Sequence, residues 1–238
     1  MKTSAMVVLS GGQDSTTCLL WARATFDEVH AITFDYGQRH RAELDAARRV
    51  AAICGVKSHE IVEAPGLLLS RSPLTSPQVP LETYTDFKTM SATIGGRVEL
   101  TFVPLRNPFF LLLAANHALY RDCYVLVTGV CEADNANYPD CTSAFIVAME
   151  HAMNEALGLH ADGKRRTIHI ATPLIRSSKA DTVRMALGYP EGRLALAYSH
   201  TCYAGQVPPC GRCHACVLRA EGFREAGEPD PLISRFGL

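Results

Sequence analysis

The chain has 238 residues, of which 47% are apolar, and a formal net charge of −1. That suits one α/β domain with at most a small appendage, and it supplies enough apolar mass for a sizeable core. The near-neutral charge gives no electrostatic footprint for nucleic acid or an anionic membrane, and no apolar run is long enough to span a bilayer. Nine cysteines, five of them scattered singly (Cys18, Cys54, Cys123, Cys131 and Cys141), exclude a secreted disulfide framework. With no signal-peptide pattern at the N-terminus, the expectation is a reduced, cytoplasmic enzyme acting on small molecules.

Residues 6–9 predict a buried strand, and residues 14–24 a helix that turns Cys18, Leu19 and Ala22 inward. Between them runs Ser10-Gly11-Gly12-Gln13-Asp14-Ser15. Glycines after a strand let the backbone approach an anion, and the helix that follows turns its free N–H groups and positive dipole end toward phosphate. The Walker spacing is absent, so this is a different phosphate cradle. Leu9, Ser10, Gly11, Gly12, Gln13, Asp14, Ser15, Thr16 and Thr17 are the candidate nucleotide-binding residues, joined by Gly129 at the end of a later strand.

Strands follow at 29–34 and 58–62, around a helix at 41–54 that stops at Gly55. Residues 64–97 break the pattern with Pro65, Pro73, Pro77 and Pro80 before Gly95-Gly96, a long irregular insertion and a candidate lid. Regularity resumes with a helix at 108–120, a strand at 124–128, a helix at 143–157, a strand at 167–170 and a helix at 179–187. This alternation predicts a doubly wound, Rossmann-like parallel sheet of α/β class. Ligands in such folds sit past the carboxyl ends of the strands, where Ser10, Asp35, Gly129 and Thr172 fall.

Near the C-terminus stand Cys202, Cys210, Cys213 and Cys216. Overlapping C-x-x-C steps plus one earlier cysteine supply the four thiolates of a closed structural zinc site, which staples a tail and does no chemistry. A four-thiolate iron–sulfur cluster uses the same ligands, whereas a redox C-x-x-C needs only two. The chain divides accordingly into residues 1–197, a nucleotide-binding α/β domain, and residues 198–238, a zinc-binding tail.

These motifs together resemble the 7-cyano-7-deazaguanine synthase family, the QueC-type enzymes of queuosine biosynthesis within the PP-loop ATP pyrophosphatases. The matching segments are Ser10–Ser15, Phe34–His40, Thr101–Pro104 with Arg106-Asn107, and Thr128–Glu132. They continue through Tyr138–Cys141, Thr172–Leu174 with Lys179, and Thr201–Tyr203 with the segment running on to Arg219. The resemblance implies ATP, Mg²⁺ and Zn²⁺ as cofactors, 7-carboxy-7-deazaguanine and ammonia as substrates, and a homodimer. It implies adenylation of the carboxylate, amide formation, a second activation and loss of oxygen as a nitrile. On that reading Asp14, Arg39 and Lys179 are the candidate catalytic groups, and Tyr36, Gln38, Arg106, Asn107, Tyr138 and Asp140 surround the deazaguanine. Plainer readings stand beside these: Arg39 in a solvated first turn, Asn107 as an N-cap, and Lys179 as a surface lysine.

Three positions depart from the family pattern: Leu105 stands where glycine is usual, Thr142 where arginine is, and Ala144 where glutamate is. Loss of an Arg–Glu pair removes a bidentate clamp. The departures motivate an alternative, a related enzyme that adenylates the same carboxylate and passes it to a different amine, ending at the amide. A PP-loop tRNA-modifying enzyme is a more distant alternative, disfavoured by the neutral charge.

Overall fold

A computed structural model describes residues 2–132, 137–158 and 166–237. The chain runs β1 (Ser4–Val8), α1 (Gln13–Thr25), β2 (Glu28–Asp35), α2 (Ala42–Cys54), β3 (Ser58–Glu63), α3 (Phe87–Ile94) and α4 (Arg106–Leu119). It continues through β4 (Val125–Val127), a short 3₁₀ turn (Pro139–Cys141), α5 (Ser143–Ala156), β5 (His169–Ala171), α6 (Lys179–Leu187), α7 (Gly192–Tyr198), α8 (His214–Ala226) and α9 (Pro231–Arg235).

All five strands are parallel, in the order β3-β2-β1-β4-β5. Side chains alternate across a strand, so β1 and β2 each feed two cores. Ala5, Val7, Val29 and Ala31 pack with Cys18 and Leu19 of α1, Ala47 and Val50 of α2, and Val183 of α6. Met6, Ile32 and Phe34 pack on the other face with Leu111 and Ala114 of α4 and with Ile146 and Met153 of α5. Both faces are covered, as a parallel sheet requires. This is the doubly wound α/β architecture that the alternation predicts.

From β1 the chain steps outward to β2 and β3, then returns to β4 on the opposite side. The strand order therefore reverses between β1 and β4, and a crevice opens at their carboxyl ends.

The insertion is less irregular than the sequence suggests. Asp86 caps α3 by accepting a hydrogen bond from the Thr89 N–H, and Tyr84, Met90 and Ile94 pack on Val217 and Leu218 of α8. Tyr84 N–H also donates to the Arg212 carbonyl at 2.8 Å. Proline spacing hid this element because its apolar partners lie some 120 residues downstream. The helix predicted at 108–120 begins instead at Arg106, with Leu105 at its N-cap, which overturns the reading of Asn107 as the capping residue.

Candidate active site

The β1–α1 connection builds the cradle. Ser10 Oγ accepts a hydrogen bond from the Gly12 N–H at 3.2 Å and lies 3.0 Å from Ser15 Oγ, which donates to the Gly12 carbonyl at 3.1 Å. Gly11 has φ +88°, and a Cβ there would strike the backbone of α2 at Glu43 and Ala47. Gly129, just past β4, crosses the start of α1 so closely that a Cβ would lie 3.0 Å from the Asp14 carbonyl carbon and the Ser15 nitrogen. No side chain caps α1, which leaves the leading N–H groups of the helix to face an anion. Leu9, Ser10, Gly12, Gln13, Asp14, Ser15 and Gly129 line the crevice, while Gly11, Thr16 and Thr17 sit behind it. Thr17 Oγ1 is turned into α1, donating to the Gln13 carbonyl at 3.0 Å.

Lys179 opens α6, whose start is fixed by a capping box between Ser178 and Asp181. Its Nζ donates to both carboxylate oxygens of Asp14, at 2.8 and 3.0 Å. The Lys179 side chain is only 9% exposed, so the surface-lysine reading fails. A buried cation is thus held at the mouth of the cradle by a carboxylate that is itself on α1.

Two lobes of about 290 and 230 Å³ form the crevice and share Gln13, Asp14, Cys131, Tyr138, Cys141, Thr201 and Tyr203. Tyr36, Arg106, Asn107 and Tyr138 line it, as the sequence-based list has them. Arg106 is cationic and lies beside Tyr36, Tyr138 and Tyr203, with the Tyr36 hydroxyl oxygen accepting a hydrogen bond from its guanidinium. Burial pushes the Tyr36 hydroxyl up to about 12 and raises those of Tyr138 and Tyr203, keeping all three as neutral donors. The result is a cation ringed by aromatic hydroxyls, suited to a flat, polar-edged heterocycle.

Arg39 of the catalytic candidates and Gln38 and Asp140 of the deazaguanine set are turned elsewhere. Arg39 donates to the Pro77 and Val79 carbonyls of the insertion, at 2.6 and 3.0 Å. Gln38 closes its own turn, accepting from the Tyr36 N–H at 2.9 Å and donating to Glu43 at 2.9 Å. Asp140 lies under Asn107, whose side-chain amide donates to the Asp140 carbonyl at 3.1 Å, and burial raises its carboxyl. None of the three lines either lobe.

The structure also brings to the crevice His40, Glu43, His200, Tyr203 and Arg219. Glu43 looks like an ordinary first-turn acid of α2, so nothing in its spacing marks it. Thr142 accepts from the Phe145 N–H at 3.2 Å as the N-cap of α5 and borders one lobe, whereas Ala144 is exposed.

The ligand atoms of Cys202, Cys210, Cys213 and Cys216 all lie within 4.8 Å of one another, with Cys210 and Cys216 Sγ 3.9 Å apart. Four sulfurs about 2.3 Å from one ion would have this spacing, so the set fits tetrahedral zinc. The Cys210 sulfur accepts from the Arg212 and Cys213 N–H groups, at 3.4 and 3.3 Å, which orients it inward. Hydrogen bonds from the Cys213 and Cys216 sulfurs drive the Cys202 thiol down, and the same contacts push those two up, to about 12 for Cys213. Four sulfurs this close could all become thiolates only with a cation among them.

Over 230 residues the chain is 49% identical to the 7-cyano-7-deazaguanine synthase of Gloeobacter violaceus, covering 96% of this chain and 94% of that one. It is 51% identical to the enzyme of that name from Laribacter hongkongensis over 233 residues, covering 97% of this chain and 94% of the other. A distant structural likeness, with a TM-score of 0.49 and 16% identity, links it to a 4-thiouridine synthetase solved with RNA and bound ATP, covering 93% of this chain and 53% of that one. The family described as queuosine biosynthesis protein QueC matches residues 4–227, and the chain belongs to that family.

Proposed function

We infer that the chain is an ATP-dependent ligase that converts 7-carboxy-7-deazaguanine and ammonia to 7-cyano-7-deazaguanine. The observation that carries this reading is the near-full-length identity of 49% and 51% to synthases of that name. The cradle at the β1–α1 turn and the Arg106–tyrosine ring supply the two binding sites such a reaction needs.

The substrate carboxylate attacks the α-phosphorus of ATP, and the bond to pyrophosphate breaks. The leaving pyrophosphate gains charge where the N–H groups of α1, the Ser10 and Ser15 hydroxyls and Lys179 converge. Asp14 keeps Lys179 aimed there. The amine then attacks the acyl carbon and AMP departs, leaving the amide. The amide oxygen then attacks the α-phosphorus of a second ATP and displaces pyrophosphate, and C–O cleavage releases AMP as the nitrogen gives up its two remaining protons and their electrons complete the nitrile. Mg²⁺ arriving with ATP would offset phosphate charge, and Asp14 is the carboxylate beside the cradle that would hold it.

Cys202, Cys210, Cys213 and Cys216 would hold Zn²⁺, which would have a structural part, fixing the start of α8. Residues 1–197 carry nucleotide binding and residues 198–238 the metal-bearing tail, with the 64–97 insertion as a lid. The resemblance to the family supports a homodimer, which sedimentation would test, and the nine thiols suit a reducing, cytoplasmic setting. Among the described residues no helix is long and apolar enough to cross a membrane.

The test is mass spectrometry of a reaction with 7-carboxy-7-deazaguanine, ammonium and Mg-ATP. Nitrile with AMP is the expected outcome. AMP with only adenylate or amide would overturn nitrile synthesis and favour transfer to another amine, the reading that Leu105, Thr142 and Ala144 motivate.

A further inference from the structure

The reaction inferred above makes one demand that the phosphate cradle does not meet. Ammonia enters with three N–H bonds and the nitrile nitrogen has none, so three protons must be taken from one nitrogen in each cycle. One leaves as the amide forms, and two leave as the amide oxygen is activated and expelled. Lys179 is a cation bound to Asp14, Arg106 is held cationic, and the three phenols are kept protonated by burial. None of these is a base at neutral pH.

A base is present on the opposite wall. His40 precedes α2 and is 5% exposed, and its Nε2 lies 3.2 Å from Glu43 Oε2. The other carboxylate oxygen, Glu43 Oε1, accepts from Gln38 Nε2 at 2.9 Å, and that same amide group donates to the Phe34 carbonyl at 3.2 Å. Gln38 thus fixes Glu43, and Glu43 fixes the imidazole with Nε2 as its N–H and Nδ1 as its lone pair. Nδ1 is buried and has no hydrogen-bond partner among the described residues. His40 and Glu43 both border the lobe that holds Ser10, Gly12, Arg106 and Gly129. An orienting carboxylate behind an imidazole with one nitrogen unsatisfied is the arrangement of a general base.

We propose that His40, oriented by Glu43 and Gln38, is the catalytic base that removes the N–H protons of the amine. As the amine lone pair forms the C–N bond and AMP leaves with the C–O electrons, one N–H proton passes to Nδ1. After the proton is lost to solvent, the same atom serves the two later transfers. Gln38, placed by its sequence against the substrate, becomes a positioning residue two steps behind it. The proposal rests on the synthase reading.

Forming the adenylate needs no base, and that separates the steps. Carboxylate-dependent exchange of labelled pyrophosphate into ATP reports adenylation, while amide and nitrile are followed by mass spectrometry. For His40→Asn, exchange persists and amide and nitrile formation fall by about 10²-fold or more. Glu43→Gln keeps the imidazole but removes the anion that orients it, so kcat for amide and nitrile falls while the KM for the carboxylate and the exchange rate stay at native values. Native-rate nitrile formation by His40→Asn, or a native kcat for nitrile formation in Glu43→Gln, would overturn the base. Absence of exchange in the native protein would overturn the synthase reading itself, and the base with it.

Discussion

Gly222 of α8 lies flush against the stem of Lys179: a Cβ built on it falls 2.5 Å from Lys179 Cγ, 3.1 Å from its Cβ and 3.2 Å from its carbonyl carbon. The helix that leaves the cysteine cluster therefore carries the notch in which the buried cation of the crevice is seated. Alanine in the middle of a helix normally gains about 1 kcal/mol over glycine. Overpacking typically costs about 1–3 kcal/mol, and because two of the obstructing atoms are close to or on the Lys179 backbone, strain wins here. Gly222→Ala should lower the urea midpoint slightly and cut pyrophosphate exchange much more. Exchange at the native rate would mean that Lys179 is seated by Asp14 alone.

The cysteine cluster sets where that notch begins, since Cys213 is the N-cap of α8 and Cys216 lies in its first turn. Purified protein is expected to contain one zinc per chain. Cys213→Ala should lose it and unfold at a clearly lower temperature, because metal binding and folding are coupled. Elemental analysis with a thermal melt measures both. A stable, fully active Cys213→Ala protein would leave the cluster without a structural part.

Further along α8, the guanidinium of Arg219 forms two hydrogen bonds to the Asp230 carboxylate, at 2.7 and 2.8 Å, and also donates to Ser199, Thr201 and the Leu196 carbonyl. Both side chains are under a tenth exposed. Removing one partner of such a pair leaves a buried charge uncompensated, at a cost of about 3–5 kcal/mol. Asp230→Ala should therefore shift the denaturation midpoint far more than Asp45→Ala, whose bond to Arg48 is exposed at both ends. Equal, small shifts would show that Arg219 is satisfied by Ser199, Thr201 and the Leu196 carbonyl without its carboxylate.

How much of this was legible beforehand follows from how local each signal is. The strand–glycine–helix turn at Ser10–Ser15 and the spacing of Cys210, Cys213 and Cys216 are written in adjacent residues, so the cradle and the sulfur cluster could be placed without coordinates. The α3 helix was not, because Met90 and Ile94 find their partners on α8. Gln38 and Arg39 show the complementary error. The family resemblance put both at the crevice, whereas here their side chains are bonded to Glu43 and to the insertion's carbonyls. His40 and Glu43 lie only three residues apart, yet only the fold turns an ordinary helix-start pair into a buried one.

Leu105 is the departure from the family pattern with the plainest physical cost. It caps α4 at φ +61°, ψ +11°, in the left-handed region that a side chain enters at about 1–2 kcal/mol. Glycine would remove that strain while adding roughly 0.4–1 kcal/mol of unfolded-state freedom. Leu105 is 71% exposed, so almost no buried apolar area is lost with it. The balance favours glycine, and Leu105→Gly should raise the urea midpoint by an amount worth about 0.5–1 kcal/mol. Nitrile formation should stay unchanged, since α4 still begins at Arg106 and the guanidinium keeps its ring of tyrosines. A lowered midpoint would mean that the leucine side chain is covered in solution, and a concentration series of the same melt would then show whether a second copy of the chain covers it.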